Sequence, residues 1–413
     1  MKEKKALIAM SGGVDSSVAA YLTREAGYHC TGATMRLYDN SDIGADIGST
    51  CCSLDDVEDA RAVATRLGMR HYVFNFTDDF HEKVIGNFIR CYECGTTPNP
   101  CIQCNRHLKF DHLLRRGLEL GCDVVVTGHY ARIRRDQHTG RYLLYKAADI
   151  SKDQSYVLYS LTQHQLSHTL FPLGEMSKSD ARRIAGEQGF INARKKDSQD
   201  ICFVPDGDYV AFMERDTGKH YEPGDYLDLN GTVVGRHRGA VCYTLGQRKG
   251  LNLAMGTPVY AVAKDMEKNT VTVGPNEALF STTLRANDWN WFPFENLTQP
   301  LEVTAKARYN QAPQPAVVYP EEDGFARVVF HEPQRALTPG QAVVLYDGDM
   351  VVGGGTITEV IKEYTMSLRA SAHTGVALRR TFRKPEGDCH VGLRPPRNDT
   401  FYFLLFFAIL MIY

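Results

Sequence analysis

Short apolar runs alternate with helix-spaced apolar positions over the first half of the chain, and the second half tightens into a strand rhythm. Lys5–Met10 (KALIAM) is a continuous apolar run of the kind that fills a strand buried on both faces. Asp15–Tyr28 then reads as a helix, with Gly27 past its end. In SLDDVEDARAVATRLG, Ser53 and Asp56 resemble a capping box. Val57, Ala60, Ala64 and Leu67 share one helical face there, and Gly68 suits the stop. His71–Phe76 and Cys122–Tyr130 are further strand candidates. Strand and helix in alternation predict an α/β domain with a parallel sheet covered on both faces, whose ligands sit at the carboxyl ends of the strands.

After about Pro205 the texture changes. Asn230-Gly231 stands between two short alternating runs, a hairpin signal, and PVYAVAKDMEKNTVTVG reads as a second hairpin. From Leu301 onward short strands recur at regular spacing, the last pair around Asp347-Gly348, which predicts an antiparallel barrel or sandwich. Trp289 and Trp291 suit its core. The expected division is 1–205, an α/β catalytic domain; 206–282, a small central β-rich domain; 283–360, a β-barrel; and 361–413, an atypical tail. That tail is first basic and turn-rich, then ends on thirteen apolar residues, FYFLLFFAILMIY. As a helix these fall short of the ~30 Å hydrocarbon core of a bilayer, so a disordered extension is expected rather than an anchor.

Composition changes this picture little. The 413 residues carry a formal charge of −2, so a nucleic-acid partner needs a local basic patch rather than bulk charge. Arg182, Arg183, Arg194, Lys195 and Lys196 are the candidates for one. Eleven cysteines, an odd number, and a start without a signal-peptide pattern point to reduced thiols in the cytoplasm.

Candidate chemistry begins at Ala9–Ser17, AMSGGVDSS, between the first strand and the first helix. Gly12 and Gly13 let the backbone approach a phosphate without a Cβ in the way, and amides of the turn and helix start form an anion nest. Ser11, Ser16 and Ser17 offer hydroxyls, and Asp15 can hold a Mg²⁺ carried by the phosphates. No Lys-Ser/Thr follows the glycines, so this is not a Walker loop.

The cysteines are harder to read. Cys91, Cys94, Cys101 and Cys104 form C-x2-C-x6-C-x2-C, a spacing that suits a zinc or iron–sulfur site. Alternatively Cys104, in TPNPCIQCN, works with the distant Cys202, in KKDSQDICFV, as a pair of reacting thiols whose pKa nearby Lys and Arg would lower.

SGGVDSS resembles the pyrophosphate loop of the ATP pyrophosphatases, which cleave ATP to AMP and pyrophosphate. That loop together with TPNPCIQCN and KKDSQDICF resembles the tRNA-specific 2-thiouridylase family, and VTGHYAR, SKDQSYVLY, LFPLGE, YTLGQRKGL and KARYNQ extend the match over roughly residues 5 to 360. The resemblance implies a cytoplasmic enzyme that replaces the 2-oxygen of the wobble uridine by sulfur. ATP, with Mg²⁺, would be held by Ala9, Met10, Ser11, Gly12, Gly13, Val14, Asp15 and Ser16, with Met35 and Gly128 near the adenosine. His129 would be a neighbour of the nucleotide or a structural histidine. Cys202 would carry a persulfide from a cysteine desulfurase or a sulfur-relay protein, and Cys104 would be the second catalytic thiol, releasing sulfide or completing a disulfide with Cys202. Asn99, Pro100 and Cys101 would lie against the target base, and Lys152, Asp153, Gln154, Arg308 and Tyr309 would contact tRNA. Cys101 departs from the family, many of whose members have Asp there; it implies that the chemistry runs without that carboxylate or that Cys101 ligates a cluster. No membrane partner is expected. Competing readings are an amide- or amine-forming ATP pyrophosphatase and a tRNA-binding module without catalysis.

Overall fold

The structure is a computed structural model, described here over residues 3–38, 54–195 and 201–362. The expected cap at Ser53, Lys196 and the tail from residue 363 lie outside those residues.

A five-stranded parallel sheet is built from β1 (Lys5–Ala9), β2 (His29–Arg36), β3 (Arg70–Asn75), β4 (Val124–Val126) and β7 (Thr169–Leu170), in the order β3-β2-β1-β4-β7. The apolar run of β1 is explained by its central place. Leu7 packs into the cluster on one face, while Ala6 and Ile8 pack into the cluster on the other, all three fully buried. The helix Val14–Glu25 and the helix Leu54–Arg66 cover the face that takes Ala6 and Ile8, through Val18, Ala19, Ala60 and Ala64. Gly27 and Gly68 follow those helices with positive φ, as their positions in the sequence predict. The strand expected over Cys122–Tyr130 is confined to Val124–Val126, because beyond it the chain turns off the sheet towards the turn after β1, where Gly128 lies against Asp15 and Ser16.

Four strands form the central domain: β8 (Gly224–Leu227), β9 (Val233–His237), β10 (Tyr260–Asp265) and β11 (Thr270–Gly274), in the order β10-β11-β8-β9. Both expected hairpins are present, and β8 meets β11 in parallel. At the Asn230-Gly231 turn only Gly231 has positive φ, and Asp228 accepts backbone N–H bonds from Asn230 and Thr232. The loop is thus organised by the aspartate rather than as a two-residue turn.

The third domain is an antiparallel barrel of β12 (Phe280–Trp291), β13 (Leu301–Lys306), β14 (Gln314–Pro320), β15 (Ala326–Arg335), β16 (Ala342–Asp347) and β17 (Met350–Ile361), closed by the pairing of β12 with β17. Trp289 and Trp291 stack at 4.7 Å on its core, as expected.

An element absent from the sequence expectation ties the first domain to the third. The hairpin β5 (Ala131–Arg135) and β6 (Tyr142–Lys146) leaves the α/β domain and extends the barrel sheet beyond β17. Arg141 in it donates to the carbonyls of Trp291, Phe292 and Phe294, and Arg132 pairs with Asp349.

Candidate active site

The turn after β1 shows why its residues are what they are. Gly12 has φ +72°, and a Cβ on it would stand 2.4 Å from the Asp56 carbonyl oxygen at the start of the helix Leu54–Arg66. A Cβ on Gly128, just past β4, would meet the peptide between Asp15 and Ser16 at 2.7–2.8 Å. Glycine at both places lets two neighbouring segments close directly on the loop backbone. The serines brace the turn. Ser16 and Ser17 each donate to the Gly13 carbonyl at 3.0 Å, and Ser16 Oγ accepts from the Ser11 amide at 3.2 Å. Thr34 on β2 donates to the Met10 carbonyl, which anchors the strand that carries Met35. The loop therefore joins Ala9–Ser16, Met35 and Gly128 around the carboxyl ends of β1, β2 and β4, where open α/β sheets bind ligands.

Three polar partners of this loop were not found by sequence reasoning. Asn192 donates to the Gly12 carbonyl at 2.8 Å and to Ser17 Oγ at 2.9 Å. Lys178 reaches both Asp15 carboxylate oxygens at 2.7 Å, and the Tyr130 hydroxyl donates to Asp15 Oδ1 at 2.8 Å. Asp15, the residue expected to hold Mg²⁺, is thus paired with Lys178 and Tyr130 in this structure. Lysine, asparagine and tyrosine at sequence distances above 100 residues leave no local signal; only the fold assembles them.

The two proposed catalytic thiols belong to one apolar neighbourhood. Asn99 caps the helix Pro100–Cys104, its side chain accepting from the Ile102 amide, and Pro100 takes the first helical position. Cys104 at the end of that helix is 8% exposed, within the cluster against which Cys202, Met35 and Ala9 also pack. The Cys202 carbonyl accepts from the Tyr38 hydroxyl at 2.9 Å, which secures the segment beside the carboxyl end of β2. The disulfide expected between Cys104 and Cys202 is not formed in this structure. The expectation that basic neighbours lower the Cys104 pKa is overturned. Burial pushes the thiol up, and Lys109 offsets only part of this.

Cys101 is exposed on the same short helix, Cys104 buried, and Cys91 hydrogen-bonds Asn87. Among the described residues no three or more His, Cys, Asp or Glu side chains converge to hold a metal ion, so the four-cysteine spacing does not translate into a ligand cage there.

Residues expected against tRNA are partly brought together. Tyr309 donates to the Asp153 carbonyl at 3.4 Å, and burial, Asp153 and Cys101 in that order push its hydroxyl pKa up. Lys306 lies over the rings of Tyr156 and Tyr309 at 5.7 and 5.8 Å. Gln341, which the sequence did not mark, donates to the carbonyls of Thr97 and Pro98 and docks the Asn99 turn on the barrel. Some of the expected side chains serve the fold. Asp153 accepts from Ala147 N, Ser155 N and Ser155 Oγ; Gln154 pairs with the Tyr130 backbone; Arg308 donates to Ala336 O and Thr338 Oγ1.

Three members of the basic cluster have partners within the domain. Lys195 bridges Asp56 and Asp59 at 2.6 and 2.7 Å, Arg183 pairs with Glu187 and Asp180, and Arg182 donates to the carbonyls of Ala193 and Lys195. Asp56 is 6% exposed, so Lys195 compensates a nearly buried carboxylate rather than offering charge to a phosphate chain.

His129 is buried, shares a 2.7 Å hydrogen bond with Thr127, and is held neutral because burial, aided by Lys109, drives its pKa well below the usual value. The unfolded chain therefore binds a proton that the fold excludes. Stability present above pH 6.5 is expected to be lost as pH falls towards the depressed folded pKa, by up to about 1.4 kcal/mol per pH unit from this one group. Denaturant midpoints between pH 7.5 and 5 check this, with a shallower slope in His129→Gln.

A glycine- and serine-rich loop braced between a parallel strand and a helix, with Cys104 and Cys202 on the same domain, defines an α/β enzyme of the nucleotide-cleaving kind with an appended β-barrel. Family models agree: "tRNA methyl transferase HUP domain" matches residues 4–206, "tRNA methyl transferase PRC-barrel domain" 211–275 and "Aminomethyltransferase beta-barrel domain" 281–357. The tRNA-specific 2-thiouridylase MnmA of Clostridioides difficile is 49% identical over 86% of this chain and 98% of its own length. Those of Acetivibrio thermocellus and Heliobacterium modesticaldum are 49% and 52% identical over 86% of this chain, covering 100% and 93% of their own. The chain belongs to the tRNA-specific 2-thiouridylase family, a family of sulfurtransferases, which sets aside the amide-forming and binding-only readings. The fold carries ATP use with it. No helix among the described residues is long and apolar enough to cross a membrane.

Proposed function

We propose that this chain, working in the cytoplasm, replaces the 2-oxygen of the wobble uridine of tRNA by sulfur, with ATP and Mg²⁺. The observation that carries the reading is that one domain holds the phosphate loop, Cys104 and Cys202, with both thiols on the apolar cluster that also takes Ala9 and Met35. Ala9–Ser16, Met35 and Gly128 hold ATP. The uracil 2-oxygen attacks the α-phosphorus, a P–O bond forms, and pyrophosphate leaves with the electron pair of the broken bond. Cys202 enters as a persulfide loaded by a cysteine desulfurase or relay protein. Its outer sulfur attacks C2 and AMP departs with the former carbonyl oxygen. The Cys104 thiolate then attacks the Cys202 sulfur. A Cys104–Cys202 disulfide forms, the bond to the outer sulfur breaks, and that sulfur keeps the electron pair as the 2-thio group. A thiol reductant resets the pair.

Asn99, Pro100 and Cys101 face the target base, and Lys152, Asp153, Gln154, Arg308 and Tyr309 meet the tRNA. Asp153, Gln154 and Arg308 do so from loops that their own side chains hold in shape. Mass analysis of wobble nucleosides after incubation with tRNA, ATP and a sulfur source tests the reading. Thiouridine with AMP is expected; AMP without thiouridine counts against the sulfur step, and no AMP counts against the loop.

Burial gives this scheme a pH signature. Because the Cys104 thiol is pushed above its usual range, the thiolate fraction is small at neutrality. Single-turnover release of the thiolated product should keep rising with pH through 9, by up to about tenfold per unit. A plateau near pH 7 would refute attack by Cys104 from this buried setting.

A further inference from the structure

Lys178 opens the helix Lys178–Glu187, whose cap Ser177 accepts from the Asp180 amide. Its side chain is 12% exposed and turns onto the phosphate loop, with the ammonium 2.7 Å from both oxygens of Asp15 and 5.8 Å from the centre of the Tyr130 ring. Asp15 is the second residue of the helix Val14–Glu25, directly after Gly12-Gly13, and also accepts from the Tyr130 hydroxyl. The Lys178 side chain and the start of the helix Val14–Glu25 therefore meet at the loop.

Amides and helix ends supply only partial charges, about half a unit per helix. The group that leaves ATP is pyrophosphate, and its negative charge grows as the bond to the α-phosphorus breaks. A nest of partial charges meets that charge poorly without a cation. A carboxylate inside a phosphate loop is, conversely, repulsive unless something neutralises it. The Asp15–Lys178 pair resolves both difficulties: the carboxylate holds the nearly buried Lys178 side chain at the loop before substrate arrives.

Resting on the reading of this loop as an ATP site, we propose that Lys178 is a catalytic residue that contacts the β- and γ-phosphates of ATP, exchanging Asp15 for them and stabilising the pyrophosphate as it leaves. Asp15 is then a placeholder in the empty loop and is released to a divalent cation when the polyphosphate enters. The pair is close to neutral overall, so the loop exerts little repulsion on incoming ATP.

The test compares ATP with AMP, which lacks the phosphates assigned to Lys178. Calorimetric titration without tRNA should show Lys178→Met binding AMP as the unsubstituted protein does and ATP about 10- to 100-fold more weakly, with Lys178→Arg partly recovered. tRNA-dependent AMP formation should fall further than ATP affinity, because the contact strengthens as the bond breaks. Equal loss for both nucleotides would mark a structural role and overturn the assignment, as would no loss for either. Should Lys178→Met fail to fold, Lys178→Gln carries the same comparison. Failure of the unsubstituted protein to bind either nucleotide overturns the ATP site itself, and Lys178 with it; normal binding there confines a negative result to Lys178.

Discussion

Cys202→Ser should abolish thiouridine formation, by on the order of 10³-fold or more, while tRNA still stimulates the conversion of ATP to AMP. Serine keeps the size and a hydroxyl but cannot carry a second sulfur. The anchor of this segment is the backbone carbonyl, which accepts from Tyr38, so the substitution leaves the fold around it in place. The phosphate loop is held by separate bonds, from Ser16, Ser17, Thr34 and Asn192. The two half-reactions are thus built from different contacts and should separate. Thiouridine formed at an undiminished rate by Cys202→Ser would remove the persulfide from the scheme. Loss of AMP formation together with thiouridine would show that the thiol also shapes the nucleotide site.

Gly128→Ala should weaken ATP binding about 10- to 100-fold. The added methyl would lie within 2.7–2.9 Å of Asp15 C, Ser16 N and Asp15 Cβ, too close for van der Waals contact. The obstruction is mostly backbone, so no side chain can swing away. Either the loop or the β4 turn must shift, at a cost of roughly 1–3 kcal/mol typical of overpacking, and the loop amides lose their alignment. Gly186→Ala is the control. It lies in the helix Lys178–Glu187 with open space around it, and alanine there should raise stability by up to about 1 kcal/mol without touching ATP affinity. Equal ATP affinity in Gly128→Ala and the unsubstituted chain would disconnect the β4 turn from the nucleotide.

Much of the fold was legible in the sequence because its signals are local. The run Lys5–Ala9 could only be a strand covered twice, and the Asp347-Gly348 turn marked the last hairpin of the barrel. The tight turn after β1 was legible for the same reason: two glycines, serines and an aspartate sit within eight residues. What could not be read depends on encounters. The β5–β6 hairpin looks like any short ribbon until β17 is beside it. Lys195 reads as one of a basic run, and only the fold reveals Asp56 and Asp59 against it. Lys178, Tyr130 and Asn192 are ordinary residues whose meaning comes from arrival at the loop. The Cys104 thiol was misjudged because charge is visible in a sequence and burial is not.

The ribbon β5–β6 has a consequence for how such a molecule can be dissected or rearranged. Its outermost partner, Met350 opposite Tyr145, belongs to the last strand of the chain's third domain, and Arg141 is satisfied by carbonyls of the same domain. A version shortened ahead of Phe280 would not be a smaller ATP-cleaving protein; it would carry a naked strand edge and a stranded guanidinium, and would tend to stick to its own copies. Transplanting the nucleotide-handling half into another enzyme would therefore require bringing the barrel along or redesigning that ribbon.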